Sequence, residues 1–299
     1  MVEKKPNFIV IGAMKSATTS IYTYLKQHPD IFMTKIKEPM FFNNYNQDSD
    51  YKILGTKIKK LKTLEEYLLM FEDVNDEKAI GEASPAYIYN KKAPQLIKEI
   101  LPDVKIIAIL RHPTDRAYSN YLHVVRADRE NSNSFQEAID KEKERIKENW
   151  SPLYHYIEKG YYSVQLKRYY ELFPQENIRV YLFEDVIKNT KEILQDIFTF
   201  LQVDDILEID SSKKANVSGT PRGVFGFLLK KMRYYNLMPK FAISDYLPNF
   251  IVRSIFRSAY KDTEKLPLKL KKEITERYYR DEILKLEKLI GRDLSKWLV

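Results

Sequence analysis

One feature near the N-terminus restricts the possible folds of this chain more than any other. It is an apolar run followed by a turn of small, basic and hydroxyl residues. Residues 7–13 are apolar at almost every position, and Lys15 and Ser16 follow shortly after them. A run without polar alternation is typical of a parallel strand covered on both faces. Residues 17–27 then carry apolar side chains at helical spacing, so we expect a helix to begin near residues 16–18.

The same order of strand and helix occurs twice more along the chain. Residues 104–110 and 178–183 predict buried strands, and residues 114–129 and 190–201 predict the helices that follow them. Alternating strands and helices favour an α/β fold in which helices flank a central parallel sheet. The C-terminal part, residues 224–299, has a mostly helical pattern.

Length and composition narrow the possible classes of protein. The 299 residues are 44% hydrophobic, so we expect a single domain over 1–299. The formal net charge of +8 favours an anionic ligand, but no basic arm or helix-turn-helix pattern indicates nucleic acid. Cysteine is absent, which excludes disulfides and thiolate metal sites and agrees with a cytoplasmic location. The apolar segment after residues 1–6 is too short for a secretory signal or a membrane span.

The first strand-to-helix turn has the composition of a phosphate-binding loop. Its residues are Gly12-Ala13-Met14-Lys15-Ser16-Ala17-Thr18-Thr19-Ser20. Amides at the start of a helix attract an anion, hydroxyl groups add donors, and lysine adds a full positive charge. An ordinary capped helix after a strand would have a similar sequence, so that interpretation stays open for this segment alone.

A metal-dependent nucleotide kinase is the main rival on this architecture. Its loop has the pattern G-x-x-x-x-G-K-[ST], which from Gly12 would need glycine at 17 and lysine at 18. This chain has Ala17 and Thr18 there, and Arg111 follows the second strand where a magnesium-binding aspartate would stand. The turn therefore favours a phosphate that needs no metal.

A second group of polar residues follows the strand at 104–110. Arg111 stands at the carboxyl end of that strand, where open α/β sheets bind ligands. Ser119 lies eight residues later on the next helix, so both side chains could reach one phosphate. His123 is four residues beyond Ser119 and shares its helix face.

These two motifs resemble those of the sulfotransferases that use 3′-phosphoadenosine-5′-phosphosulfate (PAPS). Lys15-Ser16-Ala17-Thr18-Thr19 is similar to the family's 5′-phosphosulfate loop, although Ala17 replaces the usual glycine. We expect Ala17 to have ordinary helical angles because the helix should already have begun there. The resemblance implies that Arg111 and Ser119 bind the 3′-phosphate.

Within that family the chain is most similar to the glycosaminoglycan (heparan sulfate) type and to bacterial carbohydrate sulfotransferases. Glu82, before Ala83-Ser84-Pro85, resembles a Glu-Lys-Ser/Thr-Pro motif whose glutamate is the general base, with the lysine replaced by Ala83. In the same enzymes a histidine at the position of His123 contributes to the active site. The base is thus Glu82 or His123.

Further resemblances follow in order along the chain. One of them, a late loop with Pro221-Arg222, implies that Arg222 also meets the 3′-phosphate. The others are Lys37-Glu38-Pro39-Met40-Phe41-Phe42, Gly160-Tyr161-Tyr162, Phe173-Pro174, Phe183-Glu184-Asp185 and Arg292-Asp293-Leu294-Ser295-Lys296-Trp297.

The resemblance implies in-line transfer of a sulfuryl group from PAPS, without a metal, to a hydroxyl or amine. The acceptor would be a glycan, a glycolipid or a small alcohol, and Lys15 would neutralise the leaving phosphate. Residues 224–262 interleave aromatic and basic side chains, which indicates either helices packed on the core or peripheral contact with the inner face of a membrane. A non-catalytic protein that binds an anion or a membrane remains the alternative from another class.

Overall fold

A computed structural model describes most of the chain. The described residues are 4–45, 51–52, 61–204, 209–210, 219–221, 260–262 and 265–298. Contacts divide the chain into two compact units, Met1–Ala215 with Pro267–Val299, and Asn216–Leu266. That the whole of 1–299 forms one domain stays a prediction.

The larger unit is built on a five-stranded sheet in the order β2-β3-β1-β4-β5, and every neighbouring pair is parallel. The predicted parallel sheet is therefore confirmed. The strands are β1 (Phe8–Gly12), β2 (Ile31–Met33), β3 (Ala79–Ala83), β4 (Lys105–Leu110) and β5 (Ile178–Leu182).

Helices connect these strands and continue after them. They are α1 (Thr18–Leu25), α2 (Phe41–Asn44), α3 (Leu64–Leu68), α4 (Ala93–Ile100), α5 (Pro113–Arg126), α6 (Phe135–Asp140), α7 (Glu142–Lys147), α8 (Tyr162–Tyr170), α9 (Phe183–Lys188), α10 (Thr190–Leu201), α11 (Leu268–Ile274) and α12 (Arg280–Ile290). A π-helical turn, Thr275–Tyr279, joins the last two. Short 3₁₀ turns lie at Leu69–Phe71, Pro152–Tyr154, Glu158–Gly160, Gln175–Asn177 and Ser295–Trp297.

The apolar runs of the sequence form the centre of the sheet. All five residues of β1 are buried, and so is every residue of β4 after Lys105. Side chains of these strands form one hydrophobic cluster with those of α1 and α10. Burial of each large apolar side chain contributes roughly 1.5–3 kcal/mol, which fixes the strands that carry the candidate site.

The smaller unit has one described pair of strands. β6 (Gly219–Pro221) pairs antiparallel with β7 (Tyr260–Asp262), a pairing that the sequence did not predict. The helical pattern expected after residue 224 is confirmed by α11 and α12, whereas residues 222–259 lie outside the described part of the chain. Arg222 and most of the proposed membrane surface fall in that range. In the part of the chain that the structure describes, no helix has the length and apolar character needed to cross a bilayer.

Candidate active site

Three neighbouring strands bring the predicted residues to one edge of the sheet. β3, β1 and β4 lie side by side and parallel, so their carboxyl ends meet. Glu82 lies at the end of β3, the phosphate loop follows β1, and Arg111 follows β4. Ligands of open α/β sheets bind in the crevice at this edge.

The phosphate loop is folded tightly around its hydroxyl residues. Lys15 and Ala17 have left-handed backbones, with φ of +68° and +63°. Ser16 is fully buried between them, and its Oγ has no hydrogen-bond partner among the described residues. A buried hydroxyl normally has a partner, so this oxygen fits a bound oxyanion.

The expectation of helical angles at Ala17 was wrong. α1 begins at Thr18, and Ala17 is the residue before it, where the chain turns in the left-handed region. Glycine adopts this conformation without a steric penalty, whereas an L-residue in it costs about 1–2 kcal/mol. Ala17 in place of the family's usual glycine therefore puts a side chain on a strained, left-handed backbone.

Lys15 lies among other charged groups beside the crevice. Burial, followed by the charges of Arg126 and Arg111, lowers the pKa of Lys15 to about 8, against the opposing effect of Glu38. Three cationic side chains thus converge on the loop. An anion with several negative charges would stabilise all of them.

Arg111 connects the two predicted phosphate motifs directly. Its Nη1 donates to the carbonyl oxygen of Lys15 at 3.1 Å, and its guanidinium lies over the ring of Phe183 at 4.6 Å. The hydroxyl of Tyr162 donates to the Arg111 carbonyl at 3.0 Å. The guanidinium is therefore held against the phosphate loop.

Ser119 and His123 lie on α5, which begins at Pro113 as the sequence predicts. Ser119 is half-buried and His123 is exposed. Partial desolvation of the ring, followed by the charges of Lys15 and Arg126, lowers the pKa of His123 to about 4. The imidazole is thus uncharged at neutral pH, and it is close enough to Lys15 for that charge to lower its pKa.

Glu82 has a setting different from that expected of a base in contact with an acceptor. The residue is fully buried, and its carboxylate accepts hydrogen bonds from Ser84 Oγ at 2.7 Å, Tyr87 at 2.7 Å and Tyr67 at 3.4 Å. Burial raises its pKa to about 7, against the effect of these hydroxyl groups. A general base must lie within hydrogen-bond reach of the proton that it removes. That Glu82 is the base stays a prediction.

Two charged residues beside the loop, Glu38 and Lys159, were not predicted from the sequence. Glu38 is half-buried, and its charge raises the pKa of Lys15 and of Glu82, so its carboxylate lies near both. Lys159 is buried and donates from Nζ to Met14 Sδ at 3.2 Å. Burial lowers the pKa of Lys159 to about 7. Glu38 stands in a motif noted above and Lys159 directly precedes another, but nothing in those motifs marks the two residues as part of the site.

Comparisons with known proteins agree with this geometry. A family model described as "Sulfotransferase domain" matches residues 5–219. The membrane-associated sulfotransferase kil1 of Dictyostelium discoideum is 34% identical over 116 residues, or 39% of this chain and 22% of that protein. The human bifunctional heparan sulfate N-deacetylase/N-sulfotransferase 3 is 31% identical over 128 residues, or 40% of this chain and 13% of that protein. The match thus spans less than a quarter of either relative.

One solved structure aligns with nearly the whole chain. The sulfotransferase from Alicyclobacillus acidocaldarius has a TM-score of 0.74 and 30% sequence identity, with 98% of each chain covered. The likeness therefore includes the sheet, the phosphate loop and the C-terminal helices.

Proposed function

Since this chain belongs to the sulfotransferase family, as the match over residues 5–219 shows, we propose that it transfers a sulfuryl group from PAPS to a hydroxyl or amine. The observation that carries the proposal is the contact between Arg111 and the Lys15 carbonyl. This contact links the phosphate loop after β1 to the residue that follows β4. The buried Ser16 hydroxyl, which has no hydrogen-bond partner among the described residues, lies in that loop. The donor supplies the activated sulfuryl group, and the residues at the sheet edge bind it and stabilise charge.

The donor's two phosphate groups match two sets of residues. Ser16, Ala17, Thr18 and Thr19 would hold the 5′-phosphate through the loop and the start of α1. Arg111 and Ser119 would bind the 3′-phosphate, together with Arg222. The residues present fit oxyanions because they offer positive charge and hydroxyl donors rather than the carboxylates that a magnesium ion prefers.

The reaction that these residues support is an in-line displacement at sulfur. The acceptor oxygen or nitrogen bonds to sulfur as the bond from sulfur to the bridging phosphate oxygen breaks, and the acceptor proton passes to a base. Lys15 stabilises the negative charge that grows on the leaving phosphate. The proposed role of His123, whose lowered pKa of about 4 leaves it uncharged at neutral pH, is to contact the acceptor or to act as the base.

We propose Glu82 as the base, with His123 as the alternative. Glu82 matches the family motif, and its pKa of about 7 suits a general base at neutral pH. Three hydroxyl groups hold its buried carboxylate in one orientation. Glu38, partly exposed and paired with Lys37, is a further carboxylate whose charge acts on Lys15.

Variants separate binding from chemistry. Lys15→Ala should weaken binding of 3′,5′-bisphosphoadenosine and lower turnover, because its charge acts on bound phosphate and more strongly on the leaving group. Glu82→Gln should leave that binding unchanged and lower turnover by about 10²–10⁴-fold, as loss of a general base does. Calorimetry and transfer of radiolabelled sulfate measure the two effects. If Glu82→Gln keeps near-normal turnover while His123→Ala abolishes it, the base is His123.

We propose a carbohydrate acceptor, a glycan or glycolipid, with a small alcohol as the other candidate class. The support is that one relative is named for heparan sulfate N-sulfotransferase activity. Transfer of labelled sulfate to a panel of polysaccharides, lipids and alcohols would identify the class.

A cytoplasmic location with peripheral contact at the inner membrane face, through residues 224–262, is likewise a proposal. Another relative is named as membrane-associated. Sedimentation with anionic liposomes should retain the protein at low salt and release it as screening rises, whereas no retention at low salt would refute it.

A further inference from the structure

A small cavity lies where the first residues of the phosphate loop meet α5 and the 3₁₀ turn Glu158–Gly160. Its polar lining comes from Met14, Tyr89, Arg116 and Lys159, and the rest of its described lining is apolar. About 10 Å³ of its space is open to the centre of a water-sized particle. The cavity therefore has room for one water molecule or one monoatomic ion, but not for a tetrahedral oxyanion such as sulfate.

Arg116 brings a permanent positive charge to this cavity. The side chain is fully buried, and Nη2 of its guanidinium donates to the carbonyl oxygen of Tyr156. Its Nε and Nη1 have no hydrogen-bond partner among the described residues. Buried charges in proteins are normally paired with an opposite charge and fully hydrogen-bonded. Arg116 therefore has donors available for a further group.

Lys159 is a second cation on the same cavity. The residue is only 5% exposed, its Nζ donates to Met14 Sδ at 3.2 Å, and its Nζ lies 5.9 Å from the centre of the Tyr89 ring. An ammonium group has three donors, whereas a thioether sulfur is a weak acceptor. Burial, followed by the charge of Arg116, lowers the pKa of Lys159 to about 7. The cavity thus has two cationic groups and a surplus of donors.

Acceptors around the cavity are few. None of the described residues that line it carries a carboxylate. The charge of Glu142 opposes the lowering of the Lys159 pKa, but two backbone amides already donate to that carboxylate. The Tyr89 hydroxyl is hydrogen-bonded to Nδ1 of His155 at 2.7 Å. A particle in the cavity would therefore be surrounded mainly by groups that donate.

We propose that this cavity binds a monovalent halide such as chloride, which bridges Arg116 and Lys159. A halide only accepts hydrogen bonds, and its charge offsets those of the two buried cations. A water molecule brings no charge and has two protons of its own that need acceptors. The ion would join α5 to the turn that carries Lys159. The inference does not depend on sulfuryl transfer, and its tests need neither donor nor acceptor.

Chloride should stabilise the protein beyond any effect of ionic strength. A ligand that binds only the folded state lowers the unfolding equilibrium constant by the factor 1 + [ligand]/Kd. We expect about 100 mM sodium chloride or bromide to lower this constant at least about tenfold relative to sodium gluconate at equal ionic strength, which corresponds to a Kd below about 10 mM. Gluconate is too large for the cavity. Urea denaturation measures the difference, and equal stability in the three salts would overturn the proposal.

Removing the lysine charge tests the site itself. Lys159→Met keeps the length of the side chain and replaces a buried cation with an apolar group, so the variant should fold. The effect of chloride should fall to less than about twofold in it. Lys105→Met is the matched control, because Lys105 also lies over an aromatic ring, that of Phe200, at 5.5 Å, and is not in the cavity lining. The control should keep the tenfold effect. Persistence of that effect in Lys159→Met would refute the site.

The phosphate loop is the other place where chloride could bind, and Lys15→Ala separates the two sites. If the ion lies in the cavity, Lys15→Ala should keep the tenfold effect of chloride that Lys159→Met loses. The opposite result, loss in Lys15→Ala and persistence in Lys159→Met, would place the ion at the phosphate loop and overturn the proposal.

Bromide would locate the ion directly. Crystals of the full chain soaked in sodium bromide, with data collected at the bromine absorption edge, should show an anomalous peak between the Arg116 guanidinium and the Lys159 ammonium. Crystals of Lys159→Met should lack that peak. A water molecule in the cavity without anomalous signal would overturn the proposal. Bromide found only at other positions would be an adventitious ion only, and would overturn it as well.

Discussion

At the scale of single residues, the phosphate loop has two left-handed backbones, and neither belongs to glycine. One of them is Lys15, the residue that we propose to act on the leaving group. Ala17 has only a methyl group, which lies partly buried against the hydrophobic cluster of β1, α1 and α10. The loop thus keeps its shape through its neighbours, Arg111 above all, whose guanidinium holds the Lys15 carbonyl.

Replacing Ala17 with glycine should stabilise the protein. Relief of about 1–2 kcal/mol of strain outweighs the roughly 0.4–1 kcal/mol by which glycine favours the unfolded chain. We expect the free energy of unfolding in urea to rise by about 0.5–1 kcal/mol. Ala138→Gly, within α6, is the control and should destabilise by about 1 kcal/mol. If Ala17→Gly lowered the free energy of unfolding as much as Ala138→Gly does, Ala17 would not be strained.

The lowered pKa of Lys15 predicts how donor binding depends on pH. Below pH 8 the free protein already carries a protonated Lys15, so binding of an anion needs no proton. Above its pKa of about 8 the lysine must take up a proton when the anion binds, so affinity should fall by up to about tenfold per pH unit. Calorimetry with 3′,5′-bisphosphoadenosine from pH 7 to 9.5 measures this fall. In Lys15→Arg the side chain stays charged over this range, so the fall in affinity should disappear. If the wild-type affinity did not change with pH, Lys15 would not contact the bound phosphate.

Some residues of the site could be predicted from the sequence and others could not. Lys15, Ser16 and Arg111 stand directly after buried strands, and the edge of a parallel sheet brings such positions together. The surroundings of Glu82 depend on Tyr67, fifteen residues earlier, whose approach is a matter of packing. For the same reason the sequence gave no sign that the carboxylate of Glu38 lies near Lys15.

At the scale of elements, the central strands β1 and β4 were predictable because their apolar runs are almost continuously buried. β5 is an edge strand in which Arg179 and Val180 are only half-buried, and α10 has the bounds that its periodicity predicts. β2 has only three residues, which is too short for a pattern, and β3 contains Gly81 and Glu82. The position of β3 is instead fixed by close contact with β1.

Gly81 allows that contact and cannot be replaced without cost. It pairs with Phe8, and a Cβ added to Gly81 would come within 2.2–2.5 Å of three atoms of the Phe8 ring. Gly81→Ala should therefore lower the free energy of unfolding by about 1–3 kcal/mol, the usual effect of overpacking, as measured by urea denaturation. Gly81→Ala combined with Phe8→Leu should lose less than the sum of the two single changes. If the losses in the free energy of unfolding were strictly additive, the Phe8 ring would not be what excludes a side chain at position 81.

At the scale of the whole molecule, the account depends on a donor with two phosphate groups. The larger unit supplies the phosphate loop, Arg111 and Ser119, and the family match covers that region. Arg222, the remaining predicted contact with the 3′-phosphate, is outside the described residues. Recognition of the 3′-phosphate is what would separate PAPS from ATP and other adenine nucleotides.

The measurement that tests this claim most directly is calorimetric titration with 3′,5′-bisphosphoadenosine and with 5′-AMP. The two ligands differ only in the 3′-phosphate, which Arg111, Ser119 and Arg222 are proposed to bind. A charge-assisted hydrogen bond contributes roughly 1.5–3 kcal/mol, so even one predicts at least about a tenfold preference for the bisphosphate. Arg111→Ala should reduce this preference while affecting 5′-AMP far less. Equal affinities of the wild type for the two nucleotides would contradict the account.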